Sequence, residues 1–441
     1  MFSYQKEAVE WMEIREQDKK VPGGFLCHEM GLGKTHIMSA LIDSRSGGGS
    51  TLLLTTKSTI GAWADTLRMY SNFKYDVRVY KKGIVLRRDT VVVATHQSVF
   101  NNDEWYRAQK FARFVVDEAH VMRNKNNIFN KFLEIAKTTT YRWGITATPF
   151  NNRDADMNAY MDFLSPNKVM VGAAFKYYFL RKLRSDVVEG GPKLIFKKMV
   201  YDFEFPEERM LYDYVSEKID DAHNWIVRNA RIIPWRQRGQ MMLTLLIRKR
   251  QAAIHPQLVL NAEKVWAEEA GGEVGDWDGT KVTKFNKISE MVVADQLAGK
   301  STMIVTHFKT ELELIRAKIP ADVPVLVLTG KTSTKTRREM EGYNGPPAVL
   351  LLQIQAGGVG VSFPWIHHVI NTSPDWNPFL EKQSIYRAYR INTPHDVVVT
   401  SMYFRDTIDI DIQERQRTKM ENSLLWLSDP LSSISDFVRM P

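Results

Sequence analysis

A chain of 441 residues, 44% hydrophobic and 25% charged, can bury two or three cores, and its composition excludes a disordered, fibrous or collagenous protein. Sixty Lys and Arg against 51 Asp and Glu leave a net charge of +9, which favours a polyanionic partner without requiring one. The single cysteine, Cys27, excludes an internal disulfide and a cysteine-based zinc site, and with no signal pattern and no bilayer-length apolar run the expectation is a soluble intracellular protein with no membrane partner.

In chain order, the first strong pattern is HEMGLGKTHIM, His28 to Met38. A glycine-rich turn through Met30, Gly31, Leu32 and Gly33 that opens a helix at Lys34, Thr35 and His36 offers backbone N–H groups, an ammonium and a hydroxyl to nucleotide phosphates and their Mg2+. The strict phosphate-loop pattern has glycine where this chain has His28. Short apolar runs follow at Thr51 to Thr55, Thr90 to Thr95, Arg113 to Val116 and Trp143 to Thr146, alternating with helical patterns, as βαβ units around a parallel sheet do. The third run delivers Asp117 and Glu118 to its end, where one carboxylate can hold Mg2+ and the next can orient or deprotonate an attacking water. Together the two patterns predict NTP hydrolysis.

The texture then changes. Pro206 with Glu207 and Glu208 marks a helix start, and Leu211, Val215, Ile219, Ala222 and Ile226 recur at helical spacing. The basic stretch Arg231 to Arg250 carries Arg236, Arg238, Arg248, Lys249 and Arg250 among Met and Leu; a solvated face and a nucleic-acid contact surface are both open readings. Residues 261–280, ending AEEAGGEVGDWDGT, read as an acidic, glycine-rich linker.

A second set of β-branched runs follows at Thr302 to Thr306, Val323 to Leu328, Ala348 to Leu352, His368 to Asn371 and Val397 to Met402. Two similar halves, only one with a phosphate loop, suggest a nucleotide bound between paired lobes. In QIQAGGVGVSF the glycines Gly357, Gly358 and Gly360 let the backbone turn tightly and approach another surface. In QSIYRAYRINT the spacing of Gln383, Arg387 and Arg390 predicts one helical face, from which the arginines could stabilise charge on a transferring γ-phosphate.

The order of these motifs resembles helicase superfamily two, and within it the Swi/Snf family of DNA-dependent ATPases. Tyr4-Gln5 resembles the family's adenine-reading glutamine motif; HEMGLGKT, TTKSTIGAW, VVATHQSV, DEAHVMRNKNN and ITATPFNN follow in the family's order; LRKLRSDV, RKRQAAIHP and TSPDWNP are more specific to it. His28 stands where the family usually has aspartate, and Asn392-Thr393 where Gly-Gln usually follows.

The resemblance implies an α/β protein of two RecA-like lobes with parallel sheets and a helical insertion between them. The expected divisions are 1–166 for the ATP-binding lobe, 167–260 for the insertion with its basic face, 261–280 for the linker, 281–404 for lobe two and 405–441 for a C-terminal helix and tail. It implies an ATPase with ATP and Mg2+ as cofactors, in which Gln5 selects adenine, Lys34 holds phosphates, Thr35 and Asp117 hold magnesium, Glu118 orients water, Gly358 and Gly360 approach the nucleotide, and Gln383, Arg387 and Arg390 act from the second lobe. It also implies a monomer moving on double-stranded DNA, with contacts placed by motif at Lys57, His96, Asn124, Trp376 and Asn377 and a protein roadblock or partner that the sequence does not name. Reader domains find no room between the glutamine motif and the last helix. A fork- or R-loop-remodelling helicase or annealing enzyme, and a slow ATP-gated scaffold, are the rival readings.

Overall fold

The computed structural model describes residues 1–72, 74–87, 89–149, 153–166, 177–187, 190–269, 275–358, 361–390 and 393–427. Gly360, Asn392 and Phe150 to Asn152 of the ITATPFNN run lie outside the described residues. The chain divides into two compact units, the first including Met1–Gly191 and the second being Pro192–Arg417. Each is an α/β unit on a parallel sheet, as the sequence predicts.

The first sheet holds β1 (Gly23–Leu26), β2 (Thr51–Thr55), β3 (Asp76–Val79), β4 (Thr90–Thr95), β5 (Arg113–Asp117), β6 (Tyr141–Ile145) and β7 (Phe179–Leu180), in the order β3-β4-β2-β5-β6-β1-β7. Every strand pairing in it among the described residues is parallel. Such strands are buried on both faces, which is why they read as continuous apolar runs. The two faces still sort by alternation: Leu52, Leu54, Phe114 and Val116 join one core cluster, while Leu53, Val115 and Trp143 join the other. Burying each of these side chains contributes about 1.5–3 kcal/mol, and a one-residue slip would exchange the clusters, so register is strongly set. The helix Ser3–Glu16 is tied to the sheet by Glu16, whose carboxylate accepts two 2.7 Å bonds from Arg113 and one of 3.0 Å from the Trp143 indole. That anchor fixes the far end of the helix that carries Tyr4 and Gln5.

The second sheet holds β8 (Leu194–Tyr201), β9 (Thr302–Thr306), β10 (Val325–Leu328), β11 (Val349–Gln353), β12 (His368–Asn371) and β13 (Val397–Phe404), in the order β10-β11-β9-β12-β13-β8. Its core packs Ile304, Val349, Leu351, Ile370 and Met402 against Phe285, Ile288 and Val292 of the helix Thr283–Leu297.

The structure departs from three sequence expectations. The range 167–260 is not all helical insertion: β7 returns to the first sheet, and β8 pairs residue for residue with β13 before the helices Pro206–Arg228 and Trp235–Ile254 begin. β8 was hard to read because it is an edge strand, LIFKKMVY, with Phe196 63% exposed, so it lacks a clean apolar alternation. Second, the range 261–280 is not a free linker where it is described. A helix runs over Pro256–Glu269, and Gln257 bonds both Asp276 (2.8 Å) and the Trp277 backbone N–H (2.6 Å), because Trp277 packs against the second core. Third, the last helix begins at Ile408 rather than Arg405; Ile408 and Ile412 seat it against Tyr212, Val215 and Ile219.

Candidate active site

The chain leaves β1 and turns back on itself before the helix Lys34–Ser44. Gly31 (φ +82°) and Gly33 (φ +74°) both occupy the left-handed region that only glycine enters freely. Gly33 is the helix N-cap, and no side chain caps that helix, so its first-turn N–H groups and its dipole suit an anion. A Cβ on Gly33 would stand 2.5 Å from Gln5 Nε2. Gln5 reaches the loop by donating to Leu32 O (3.3 Å), and Tyr4 donates its hydroxyl to the same carbonyl (3.2 Å). Lys34 Nζ folds back to donate to His28 O (2.7 Å) and Glu29 O (3.1 Å), which holds the ammonium inside the loop. Leu32 is buried, Met30 and Thr35 are half-buried, and His36 is exposed with its ring 5.9 Å from Tyr70.

The segment Leu180 to Arg184 clamps the upstream side of this loop. Cys27 N–H donates to Leu180 O (2.7 Å), Glu29 N–H to Lys182 O (3.0 Å), Lys182 N–H to His28 Nδ1 (3.1 Å) and Arg184 N–H to Glu29 Oε2 (2.9 Å). His28 is fully buried, and burial, then the charges of Lys34 and Lys182, push its pKa down to about 3. It is therefore neutral, with Nδ1 as acceptor and the proton on Nε2, which has no hydrogen-bond partner among the described residues.

Asp117 closes β5. Its Oδ2 accepts from the Thr55 hydroxyl at the end of β2 (2.7 Å) and from the Trp63 indole N–H (2.7 Å), which fixes the rotation of the carboxylate. Burial, then the adjoining Glu118 carboxylate, push the Asp117 carboxyl up to about 6. A buried carboxylate held by two donors beside a second carboxylate fits a divalent cation, whose charge would relieve both effects. Glu118 sits at φ +50°, ψ +48°, a left-handed conformation that costs a non-glycine residue about 1–3 kcal/mol and that turns its side chain off the strand direction. His120 Nδ1 lies 3.1 Å from Glu118 Oε2. Because the sheet is parallel, the loop after β1 and the carboxylates after β5 emerge on the same side, with Thr146 and Thr148 after β6 between them.

Of the residues matched to DNA contacts in the first unit, Lys57 is exposed in the turn after β2. His96 is committed elsewhere: its Nε2 donates to Asp117 O (2.8 Å), and burial pushes its pKa down to about 4, so it braces the strand end as a neutral ring. Asn124 ends the short turn Ala119–Asn124. In the sequence Trp63 stands out only as part of the TTKSTIGAW motif; the one sign of its indole contact with Asp117 is a tryptophan eight residues beyond a strand end.

In the second unit, Gln383 and Arg387 lie on the helix Pro378–Ala388, four residues apart. Arg390 is beyond the helix, after Tyr389 turns extended, so the predicted single face holds for the first two only. Arg387 Nη1 donates to Val361 O (3.1 Å), and Phe363 N–H donates to Arg387 O (2.7 Å), which ties the segment Val361 to Phe363 to the arginine helix. Burial lowers the pKa of Arg390, and its backbone N–H donates to Thr393 Oγ1 (2.7 Å). Gly358 ends the turn Ile354–Gly358. Asn377 caps the arginine helix by accepting from Phe379 N–H (3.1 Å), and Trp376 packs beside Tyr212 and Ile412 with Arg415 5.4 Å over its ring.

Behind this helix lies a polar network that the sequence did not reveal. Arg250 is buried and donates to His307 Nδ1 (2.7 Å), to Asp375 Oδ2 (3.5 Å) and to Pro374 O. Glu381 Oε1 accepts from Gln416 Nε2 (2.6 Å) and from Asp375 N–H, and burial pushes its carboxyl up to about 7.

Two family models match this chain. The SNF2-related domain matches residues 4–201 and the helicase conserved C-terminal domain matches residues 283–392. The "Probable global transactivator" of Orgyia pseudotsugata multicapsid polyhedrosis virus is 24% identical, with 95% of this chain and 90% of that protein aligned. The "Uncharacterized ATP-dependent helicase MG018" of Mycoplasma genitalium (24%) and the "ISWI chromatin-remodeling complex ATPase CHR17" of Arabidopsis thaliana (23%) each align with 95% of this chain, which spans 41% of their own length. Among solved structures, the Sulfolobus solfataricus SWI2/SNF2 ATPase core in complex with dsDNA is 21% identical, covering 94% of this chain and 90% of that one, with a TM-score of 0.41.

Proposed function

We propose, for a chain that belongs to the Swi/Snf family of helicase superfamily two, that this DNA-dependent ATPase hydrolyses ATP with Mg2+ and moves on double-stranded DNA. The observation that carries the reading is the placement of an uncapped, glycine-turned helix start and a pair of carboxylates at the same end of one parallel sheet. Lys34 would neutralise β- and γ-phosphates; its two carbonyl partners hold it ready and are exchanged for phosphate oxygens on binding. Thr35 and Asp117 would hold Mg2+, which supplies charge neutralisation on the phosphates. Glu118, turned off the strand by its backbone, would orient the water and take its proton. Gln5, already bonded to the loop, would read adenine.

The second unit would contribute Gln383, Arg387 and Arg390 to the developing charge, with Gly358 and Gly360 lending backbone approach. Lys57, exposed beside the hydroxyls of Thr55, Thr56 and Thr59 that lead to Asp117, is the proposed phosphate contact on duplex DNA. Asn124, Trp376 and Asn377 remain proposed neighbours of the DNA. No helix among the described residues is long and apolar enough to cross a membrane.

The test is an ATPase assay with duplex, single-stranded and RNA effectors beside a triplex-displacement assay. Duplex should stimulate most, the stimulation should fall steeply with salt, and the third strand should be displaced without separation of the plain duplex. Stronger stimulation by single strands, with forks opened and the triplex left intact, would transfer the function to a fork-remodelling helicase.

A further inference from the structure

The helices Pro206–Arg228 and Trp235–Ile254 are joined by the six residues 229–234, and this turn carries surface chemistry that the ATPase reading does not use. Ile232 is 82% exposed, Trp235 72% and Trp225 54%, although burying each of them would be favourable. From Ala222 to Ala262 the chain has seven Arg and Lys and no Asp or Glu, in a protein where acids otherwise make up 51 of 441 residues. Arg228, Arg231 and Arg236 are exposed at the turn, and none has an ion-pair partner among the described residues. The Arg236 guanidinium stacks 5.4 Å over the Trp235 ring, leaving the aromatic plane and the cation presented as one unit.

The run from Arg231 to Arg236, R-I-I-P-W-R, thus sets an apolar tip between two cations. A narrow turn of this kind has too little area for a standard protein interface, which needs about 800 Å² per partner. It matches a polyanion whose charges flank apolar faces: phosphates on either side for Arg231 and Arg236, and base faces for Ile232 and Trp235, as in proteins that wedge aliphatic side chains between base steps or stack unpaired bases on aromatic rings. We infer that this helical hairpin is a second nucleic-acid site, a tip that engages unpaired or unstacked bases apart from the duplex grip of the motor. The inference rests on the DNA-dependent reading above, and the basic stretch left open between a solvated face and a contact surface divides accordingly: its far end, Arg250, is internal, and its near end is the contact.

The experiment uses the full chain with Ile232→Ser and Trp235→Ala combined, and separately Arg231→Gln with Arg236→Gln. Both pairs are exposed, so unchanged melting is expected. The probes are fluorescein-labelled dT20, a 20-base-pair duplex and a fork carrying 2-aminopurine at its junction. Stacking is worth about 1–3 kcal/mol per base, so the apolar pair should weaken dT20 binding on the order of tenfold and abolish the 2-aminopurine rise. Duplex-stimulated ATPase should stay within about twofold. Wild-type dT20 affinity in the apolar pair overturns the inference. So does a tip that ignores every oligonucleotide while binding an acidic leucine-containing helical peptide, which would make it a protein-docking site. Failure of duplex to stimulate the wild-type protein strikes the underlying ATPase reading instead, and the two failures are read in different assays.

Discussion

Replacing Trp63 with Phe removes one donor from Asp117 and little else. The indole N–H lies 2.7 Å from Asp117 Oδ2, and the ring is buried among Ile37, Leu41 and Leu67, which a phenyl group still fills in part. A hydrogen bond to a charged group is worth about 1.5–3 kcal/mol. Thr55 keeps its own 2.7 Å bond to the same oxygen, so the carboxylate is loosened rather than released and the lower end of the range applies. At 1.36 kcal/mol per factor of ten, the loss is about tenfold in turnover or in the Mg2+ concentration needed for half-maximal rate. The assay is steady-state ATP hydrolysis across a Mg2+ titration, paired with direct Mn2+ binding in the presence of nucleotide and with a melting curve. Thr55→Val should act in the same direction, and the double variant should lose more than either. A Trp63→Phe protein that melts normally and shows wild-type turnover, Mg2+ dependence and Mn2+ affinity would refute the assignment of the indole as the group that orients Asp117.

Lys34→Ala should lose nucleotide affinity, whereas Glu118→Gln should bind ATP and fail to turn it over; near-normal turnover in Glu118→Gln would remove that residue from the water-positioning role. Arg250→Ala strips a buried network of its cation and leaves His307, Asp375 and the Pro374 carbonyl without it, at a cost of about 3–5 kcal/mol, seen as an early melting transition; an unchanged melt would show that water replaces the guanidinium. Glu381 gives a pH signature. Its folded carboxyl releases its proton near pH 7 and the unfolded one near 4.3, so the fold binds the extra proton between those values. The stability it contributes is present below about pH 4.3 and is lost as pH rises toward 7. Glu381→Gln, neutral throughout and still able to accept from Asp375 N–H, should flatten that decline in urea midpoints measured from pH 4.5 to 8; matching profiles would count against it.

The sequence was most legible where strands are buried on both faces. Thr51–Thr55, Thr90–Thr95 and Thr302–Thr306 match their predicted bounds because every residue in them is apolar or β-branched and flanked by turn formers. It was least legible at sheet edges. At three of the four edges the signal is weak for particular reasons: β3 alternates valine with Asp76 and Arg78, β7 is only two residues long, and β8 carries Lys197 and Lys198 at its centre, whereas the edge strand β10 is apolar throughout and was legible. Chemistry followed the same rule. Lys34, Asp117 and Glu118 could be found because local spacing sets them on a helix start and a strand end. Trp63 on Asp117, and Arg250 on His307 and Asp375, join residues 54 and 57 or more positions apart, and only the tertiary fold brings them together. Arg390 failed in a more local way: helical spacing was extended past Tyr389, where the backbone leaves the helix.

His28 shows why a departure from a family pattern need not break a site. The Swi/Snf pattern usually has aspartate there, which would add a further negative charge to the loop. The position's structural task is to accept the Lys182 backbone N–H, one of four bonds that clamp the loop to the segment ending at Arg184. A neutral imidazole does this with Nδ1, and burial beside Lys34 and Lys182 keeps it neutral across the whole physiological range. The clamp therefore survives the substitution, the ammonium of Lys34 keeps the His28 carbonyl as a partner because that group belongs to the backbone, and under the proposed function the field at a bound phosphate would be more favourable to an anion than an aspartate would leave it.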